Sequence, residues 1–159
     1  MPVTEEQFRH ALGRFASGVT IVTTAYKDQL NGLTVSAFCS VSLNPPYILI
    51  CVDKGSSANP AIQGAKAFAV NILTDAQSHL SNHFARRTDD KFSGVSYRLG
   101  QLGMPLLDDT LGYLECTIAQ QVDAGDHYIY IGQVEHASVD SSAVPLMYYN
   151  GSYRQLTEK

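Results

Sequence analysis

The sequence has no tryptophan, only three cysteines and three methionines, and charged side chains make up just 16% of its 159 residues. Each shortage excludes something. Cys39, Cys51 and Cys116 are odd in number, widely spaced and free of any Cys-x-x-Cys pattern, which argues against a disulfide framework or a zinc site. No apolar run reaches the roughly 18 residues needed to cross a bilayer. Basic residues number eleven against fifteen acidic ones, so the formal net charge is −4 and the pI about 5.6. That balance opposes a nucleic-acid binder, which shows a basic face, and a polybasic membrane anchor. The opening MPVTEEQFRH is acidic and amphipathic, unlike a signal or transit peptide, and the expectation is a cytoplasmic protein. The charge fraction also lies below the roughly 25% of an average soluble chain, which points to surface hidden in a subunit interface.

Familiar chemical motifs are missing too. There is no Gly-x-Gly-x-x-Gly, no Walker loop and no Gly-x-Ser-x-Gly elbow. His79 and His83 stand four apart, but Leu80 follows His79 where a zinc protease needs Glu, so no metal is expected. His10 and His136 have no informative context.

What is present reads as one domain over residues 1–159, mainly β, a small antiparallel barrel with peripheral helices. Phe8, Ala11, Leu12, Phe15 and Ala16 form one apolar stripe and predict a helix over 4–16, opened by a Thr4/Gln7 capping box and closed by Gly18. Strands are expected at Val19–Thr24, Leu33–Leu43, Tyr47–Val52 and Phe68–Leu73, with Tyr47–Val52 buried on both faces. Asn31-Gly32 signals a turn, Asn59-Pro60 a helix start capped by Asn59, and Asp75 the cap of a longer helix carrying Ala76, Leu80 and Phe84 on one face. Residues 88–110 read as a long loop. Leu111–Val122 and His127–Val139 form a hairpin around Ala124-Gly125-Asp126, and Asn150-Gly151 makes a second between the tyrosines 148, 149 and 153.

Ordered motifs carry more than these statistics. Phe8-Arg9, Ala11 to Val19 and Val22-Thr23-Thr24 open the series, followed by Thr34 to Leu43 with Pro45-Pro46. Phe68 to Leu73, Phe84-Ala85, Asp90-Lys91-Phe92 and Gly103 to Leu107 come next. Leu114-Glu115-Cys116, Gly125-Asp126-His127, Ile131 to Val134 and Pro145 to Tyr149 complete it. Over nearly the whole chain this resembles the short-chain flavin reductase family; one departure is Ser17, where threonine is commoner and the hydroxyl is kept. The resemblance implies a six-stranded antiparallel split barrel of the FMN-binding type. It also implies a homodimer with flavin near the subunit interface, and NADH or NADPH as the reductant of FMN or FAD. Reduced flavin then diffuses to a separate flavin-dependent monooxygenase component. The resemblance leaves FMN against FAD and NADH against NADPH open.

Such chemistry needs no side-chain nucleophile, because the cofactors carry the electrons and the protein orients them. The resemblance places Thr34, Val35, Ser36, Ala37 and Ser40 along the flavin ring; on a continuous strand Thr34, Ser36, Phe38 and Ser40 share one face. Cys51, Val52, Asp53, Lys54, Ser56 and Ser57 lead from a buried strand into a helix, a place where hydroxyls and backbone N–H groups suit an anion. The resemblance gives Ser56 and Ser57 the flavin phosphate. Phe84, Arg86 and Lys91 flank the long loop as a ring-side aromatic and two cations. The resemblance places His127, at the start of a strand, where the nicotinamide docks, and makes it the one candidate catalytic residue. Two alternatives stay open: a flavin carrier or sensor without turnover, and a reductase whose final acceptor is a ferric chelate.

Overall fold

The computed structural model describes residues 2–139 and 142–159. Its centre is a seven-stranded antiparallel sheet built from β2 (Thr20–Tyr26), β3 (Gln29–Val35), β4 (Phe38–Leu43), β5 (Pro46–Asp53), β6 (Ala67–Ile72), β9 (Gly112–Ala124) and β10 (His127–Val139), one strand more than the six expected. The strand order is β3-β2-β6-β9-β10-β5-β4. The two edge strands, β3 and β4, are therefore consecutive in the chain, joined by Ser36 and Ala37 alone. Laid flat, seven strands at about 4.8 Å spacing would hold their edges about 29 Å apart. A two-residue link reaches about 10 Å at most. The sheet must curl on itself, and the unpaired junction of β3 with β4 is the split of the barrel.

That junction corrects the expectation of one strand over Leu33–Leu43. The chain turns at Ser36-Ala37, where Phe38 N donates to Ser36 O and Cys51 N to Ala37 O. Thr34, Ser36, Phe38 and Ser40 consequently do not share a face. Tyr47–Val52 also differs from expectation: Ile48, Ile50 and Val52 are buried, while Tyr47, Leu49 and Cys51 on the other face are half-buried.

Two apolar clusters flank β2. Val22, Val35, Ile50, Val52, Phe68, Cys116 and Tyr130 fill the barrel, with Ile62 of α2 (Asn59–Ala65) closing one end. Ile21, Leu73, Phe84, Phe92, Leu107 and Leu146 pack outside it. This explains why Thr20–Thr23 is buried on both faces of its strand. Phe84 comes from α3 (Ser78–Ala85), which is entered through a single 3-10 turn at Asp75–Gln77. The cap there is Thr74 with Gln77, not Asp75, because the extended backbone of Thr74 aims its hydroxyl at the Gln77 N–H.

The Asn31-Gly32 turn signal falls inside β3. The turn lies at Lys27-Asp28, both with positive φ (50° and 60°), and Gly32 serves close packing instead: a Cβ there would stand 2.7 Å from the Phe84 ring. Residues 88–110 are less irregular than expected, since β7 (Tyr97–Leu99) pairs with β8 (Pro105–Leu107). The buried Glu115 carboxylate holds their turn through the N–H groups of Gln101 and Leu102. A small third sheet joins β1 (Ser17–Gly18), β11 (Leu146–Tyr149) and β12 (Ser152–Gln155), turning at Asn150-Gly151 as expected, both with positive φ.

The first helix is shorter than its stripe. The Thr4/Gln7 capping box forms, but α1 (Glu5–Leu12) ends at Gly13 and none of its residues is buried. Phe8, Leu12 and Phe15 are 57%, 54% and 80% exposed, so this stripe does not face the core.

Candidate flavin cleft and its relatives

The loop after β5 is fixed by a buried amide. Asn59 does not cap α2 as expected; Ala58 precedes the helix, and the Asn59 side chain is buried beneath the loop. Its Nδ2 donates to the carbonyls of Asp53 at 2.8 Å and of Lys54 and Ser56 at 3.3 Å. Its Oδ1 accepts from the Tyr130 hydroxyl at 2.7 Å, and that hydroxyl accepts from Gln63. Asp53 Oδ1 takes the Gly55 N–H at 2.6 Å, and Ser56 N donates to Asp53 O. The loop thus presents Gly55, Ser56 and Ser57 outward on a rigid base. Ser57 is exposed, and its hydroxyl has no partner among the described residues.

A cleft of about 520 Å³ opens between this loop, the Leu33-Thr34 end of β3 and the segment Phe84–Lys91. Three stretches distant in sequence converge there, bringing together the expected residues Thr34, Asp53, Ser56, Ser57, Phe84, Arg86 and Lys91. Phe84 is wholly buried and forms a wall, locked edge-to-face against Phe92 at 5.2 Å and His83 at 5.3 Å. Thr34 Oγ1 donates to Ser81 O at 2.6 Å, which ties β3 to α3. Arg86 and Arg87 extend past the end of α3, both exposed and both without an ion pair among the described residues.

Lys91 plays a different part from the free cation expected. Its Nζ donates to Gly32 O at 3.0 Å and Phe84 O at 2.9 Å, and burial lowers its pKa. It tethers the long loop to β3. His83 joins the same tether through Lys91 O at 2.6 Å.

Other expected residues lie outside the cleft. Val35 and Val52 are barrel core, and Cys51 is half-buried on β5. Ser36, Ala37 and Ser40 are exposed near the seam and do not line the cleft. Lys54 turns away: its Nζ bonds Asp123 at 2.6 Å, which raises its pKa, and lies 5.3 Å from the Tyr128 ring centroid. Its backbone N–H donates to Asp126 O, binding the β9–β10 hairpin tip to the loop. His127 pairs across the ladder with Asp53, a cleft residue, and so stands beside the cleft without lining it. Its Nδ1 is 2.6 Å from Asp126 Oδ1, and this bond holds the Asp126 carboxyl below its ordinary range.

Leu33, Gly55, Ala85, Arg87, Thr88 and Asp89 also line the cleft and were not among the expected site residues. Arg87 had a legible signal: a doublet of cations directly after a helix in a chain of net negative charge.

Geometry of this kind has known counterparts. Residues 12–157 match the model of the flavin reductase like domain. The NADH-dependent flavin reductase of a Rhodococcus species is 40% identical, over 97% of this chain and 88% of its own. The flavin-dependent monooxygenase reductase subunit HsaB of Mycobacterium tuberculosis is 39% identical, over 92% of this chain and 79% of its own. Among solved structures, the NADH:FAD oxidoreductase SgcE6 of Streptomyces globisporus superposes with a TM-score of 0.94 at 33% identity, covering 99% of this chain and 96% of that one. On sequence and fold together, the chain belongs to the flavin reductase-like family.

Proposed function

We propose that this chain is an NAD(P)H-dependent flavin reductase that reduces FMN or FAD and hands the reduced flavin to a separate monooxygenase component. The observation that carries the reading is the convergence of loop 53–57, the end of β3 and the Phe84–Lys91 segment on one cleft. Its volume, about 520 Å³, falls within the roughly 300–1,000 Å³ of cofactor sites. The residues fit a flavin: a hydroxyl and two guanidinium groups without partners among the described residues suit its phosphate, and the Leu33 and Phe84 wall suits its ring. The chemistry supplied by the bound pair is hydride transfer from a reduced nicotinamide to the flavin.

The chain's own part is binding and orientation. Ser57, Arg86 and Arg87 hold the phosphate end, and Thr34 and Phe84 fix the inner wall. His127 meets the nicotinamide. With Nδ1–H given to Asp126, its Nε2 is left as an acceptor in the neutral ring and a donor in the protonated one. Neither role requires the protein to form a covalent bond.

The active form is a homodimer. An eight-residue helix with no buried side chain lies well below the about 12 residues at which isolated helices become marginal. A second copy covering Phe8, Leu12 and Phe15 supplies the missing packing. Sedimentation at micromolar concentration tests this: a monomer would sink it. Three unpaired thiols, one of them exposed at Cys39, suit the reducing cytoplasm. The function is tested by NADH and NADPH oxidation with and without added flavin. Turnover that saturates with added FMN or FAD is expected; tight flavin binding without turnover would make the chain a carrier instead.

A further inference from the structure

Residues 86–90 leave the end of α3 and come back to it. Fully extended, the chain from Phe84 to Lys91 would span roughly 24 Å. Instead Lys91 lies against the last turn of the helix. Its Nζ donates to Phe84 O at 2.9 Å, and its carbonyl O is 2.6 Å from His83 Nε2. Both feet of the segment therefore stand on neighbouring residues of α3. Between them the chain is irregular and every residue is exposed. No side chain of residues 86–90 has a hydrogen bond or ion pair among the described residues. The path of the segment is thus set at its ends.

Lys91 ties three elements at one of those ends. Phe84 O is a carbonyl that the end of a helix leaves without an intrahelical partner, and a cation is favourable there. Gly32 O, which accepts from the same Nζ at 3.0 Å, belongs to the edge strand β3. The next residue, Phe92, adds an apolar foot through its ring contact with Phe84. The lysine itself has no carboxylate partner among the described residues, and burial alone lowers its pKa. A half-buried cation without a counter-charge is a poor means of stabilising a fold. It lines the cleft, where an incoming phosphate would balance its charge.

Resting on the reading of this cleft as the flavin site, we propose that Lys91 is a positioning residue: it closes residues 86–90 into a strap and so sets where Arg86 and Arg87 meet the flavin phosphate. Lys91 acts through the two arginines. The cleft then has one rigid side and one that yields. The loop after β5 is braced from below by the buried Asn59 amide, whereas the strap is held by its feet alone. Flavin leaves by release of the strap.

The test compares Lys91→Met, Lys91→Arg and the double variant Arg86→Gln/Arg87→Gln, the last with and without Lys91→Met. His83→Phe is a second route to the same strap. It keeps a ring beside Phe84 and removes the bond to Lys91 O, which covers the case in which Lys91→Met does not fold. Dissociation constants for FMN and riboflavin are read from flavin fluorescence, and FMN release from stopped-flow fluorescence.

Lys91→Met should weaken FMN about tenfold, the size of coupling found between residues of one network. The loss should appear in the dissociation rate. Riboflavin, which has no phosphate, should bind as it does to the wild type, and Lys91→Arg should recover most of the FMN affinity. His83→Phe should weaken FMN in the same direction and leave riboflavin unchanged. In the Arg86→Gln/Arg87→Gln background, Lys91→Met should cause no further loss.

A further tenfold loss in that background would overturn the proposal and make Lys91 a direct phosphate ligand. Equal weakening of FMN and riboflavin would reduce it to a support of the fold. Wild-type FMN affinity in Lys91→Met, with a clear loss in Arg86→Gln/Arg87→Gln, would overturn the strap and leave the phosphate grip standing. Full FMN affinity without the two arginines would overturn the grip and the strap together. Failure of the wild-type chain to bind any flavin would overturn the flavin cleft itself.

Discussion

Tyr130 donates its buried hydroxyl to Asn59 Oδ1 at 2.7 Å, so a strand in the middle of the sheet holds the amide that shapes the candidate phosphate loop. Tyr130→Phe would leave that Oδ1 buried and unpaired at a cost of about 1–3 kcal/mol. The loop loses its support as well. The expected outcome is a lower urea midpoint together with weaker flavin binding, and a variant that loses stability at full flavin affinity would separate the two roles.

Ser57 carries the loop's exposed hydroxyl. Ser57→Asp brings a carboxylate to the place proposed for a phosphate, and like charges there oppose binding. FMN affinity should fall by at least about tenfold, close to 1.4 kcal/mol, with no change in melting temperature. Riboflavin, which has no phosphate, should bind the variant and the wild type alike.

His127 stands across the ladder from Asp53 and is oriented by Asp126. Its removal takes one hydrogen bond from the nicotinamide and none from the flavin. His127→Ala should raise the KM for NADH about fivefold and leave the flavin dissociation constant where it was. Equal effects on both substrates would reduce His127 to a structural residue.

Cys116 is fully buried between β6 and β10, and burial first, then the charges of Glu135 and Glu115, raises its pKa to about 12. The folded chain keeps this proton where the unfolded chain, with an ordinary value of 9.0, releases it. The unfolded state therefore binds fewer protons above pH 9, and the stability this group contributes is lost as pH rises from 9 toward 12. Urea midpoints measured between pH 8 and 10.5 should fall more steeply for the wild type than for Cys116→Ala. Parallel slopes would contradict the shift.

Local signals were readable from the sequence wherever one short segment decides the outcome. The Thr4/Gln7 box caps α1, and Asn150-Gly151 turns between β11 and β12, because both depend on backbone angles of neighbouring residues. Asn31-Gly32 misled for the opposite reason. Gly32 is needed by Phe84, a side chain remote in sequence, and no local pattern announces a ring that will press on a strand. The same holds for Asn59, whose type suits a cap but whose environment recruits it as a buried strut. The loop and Arg86 were legible as candidate site residues, and both line the cleft. The loss of Lys91 to two backbone carbonyls was not, since it depends on how the 88–110 segment folds back. The stripe of α1 was legible as apolar, but not what covers it, because periodicity tells that a face must be covered and not by what.

The chain-consecutive edges of the main sheet also govern how it assembles. The hairpins β2–β3, β4–β5 and β9–β10 join neighbours and close small loops. The ladders β2–β6, β6–β9 and β5–β10 join segments far apart, as in the pairing of Ile50 with Tyr130. Non-local ladders must bear their loop-closure entropy before their contacts reward it, which slows folding relative to helical chains of similar size. Until β5 meets β10, the β4–β5 hairpin keeps a second open edge, with Leu43 still 97% exposed at its turn in the finished fold. The nascent chain is thus most open to intermolecular strand pairing in the interval before the barrel shuts, and high temperature or high concentration during refolding should divert it there.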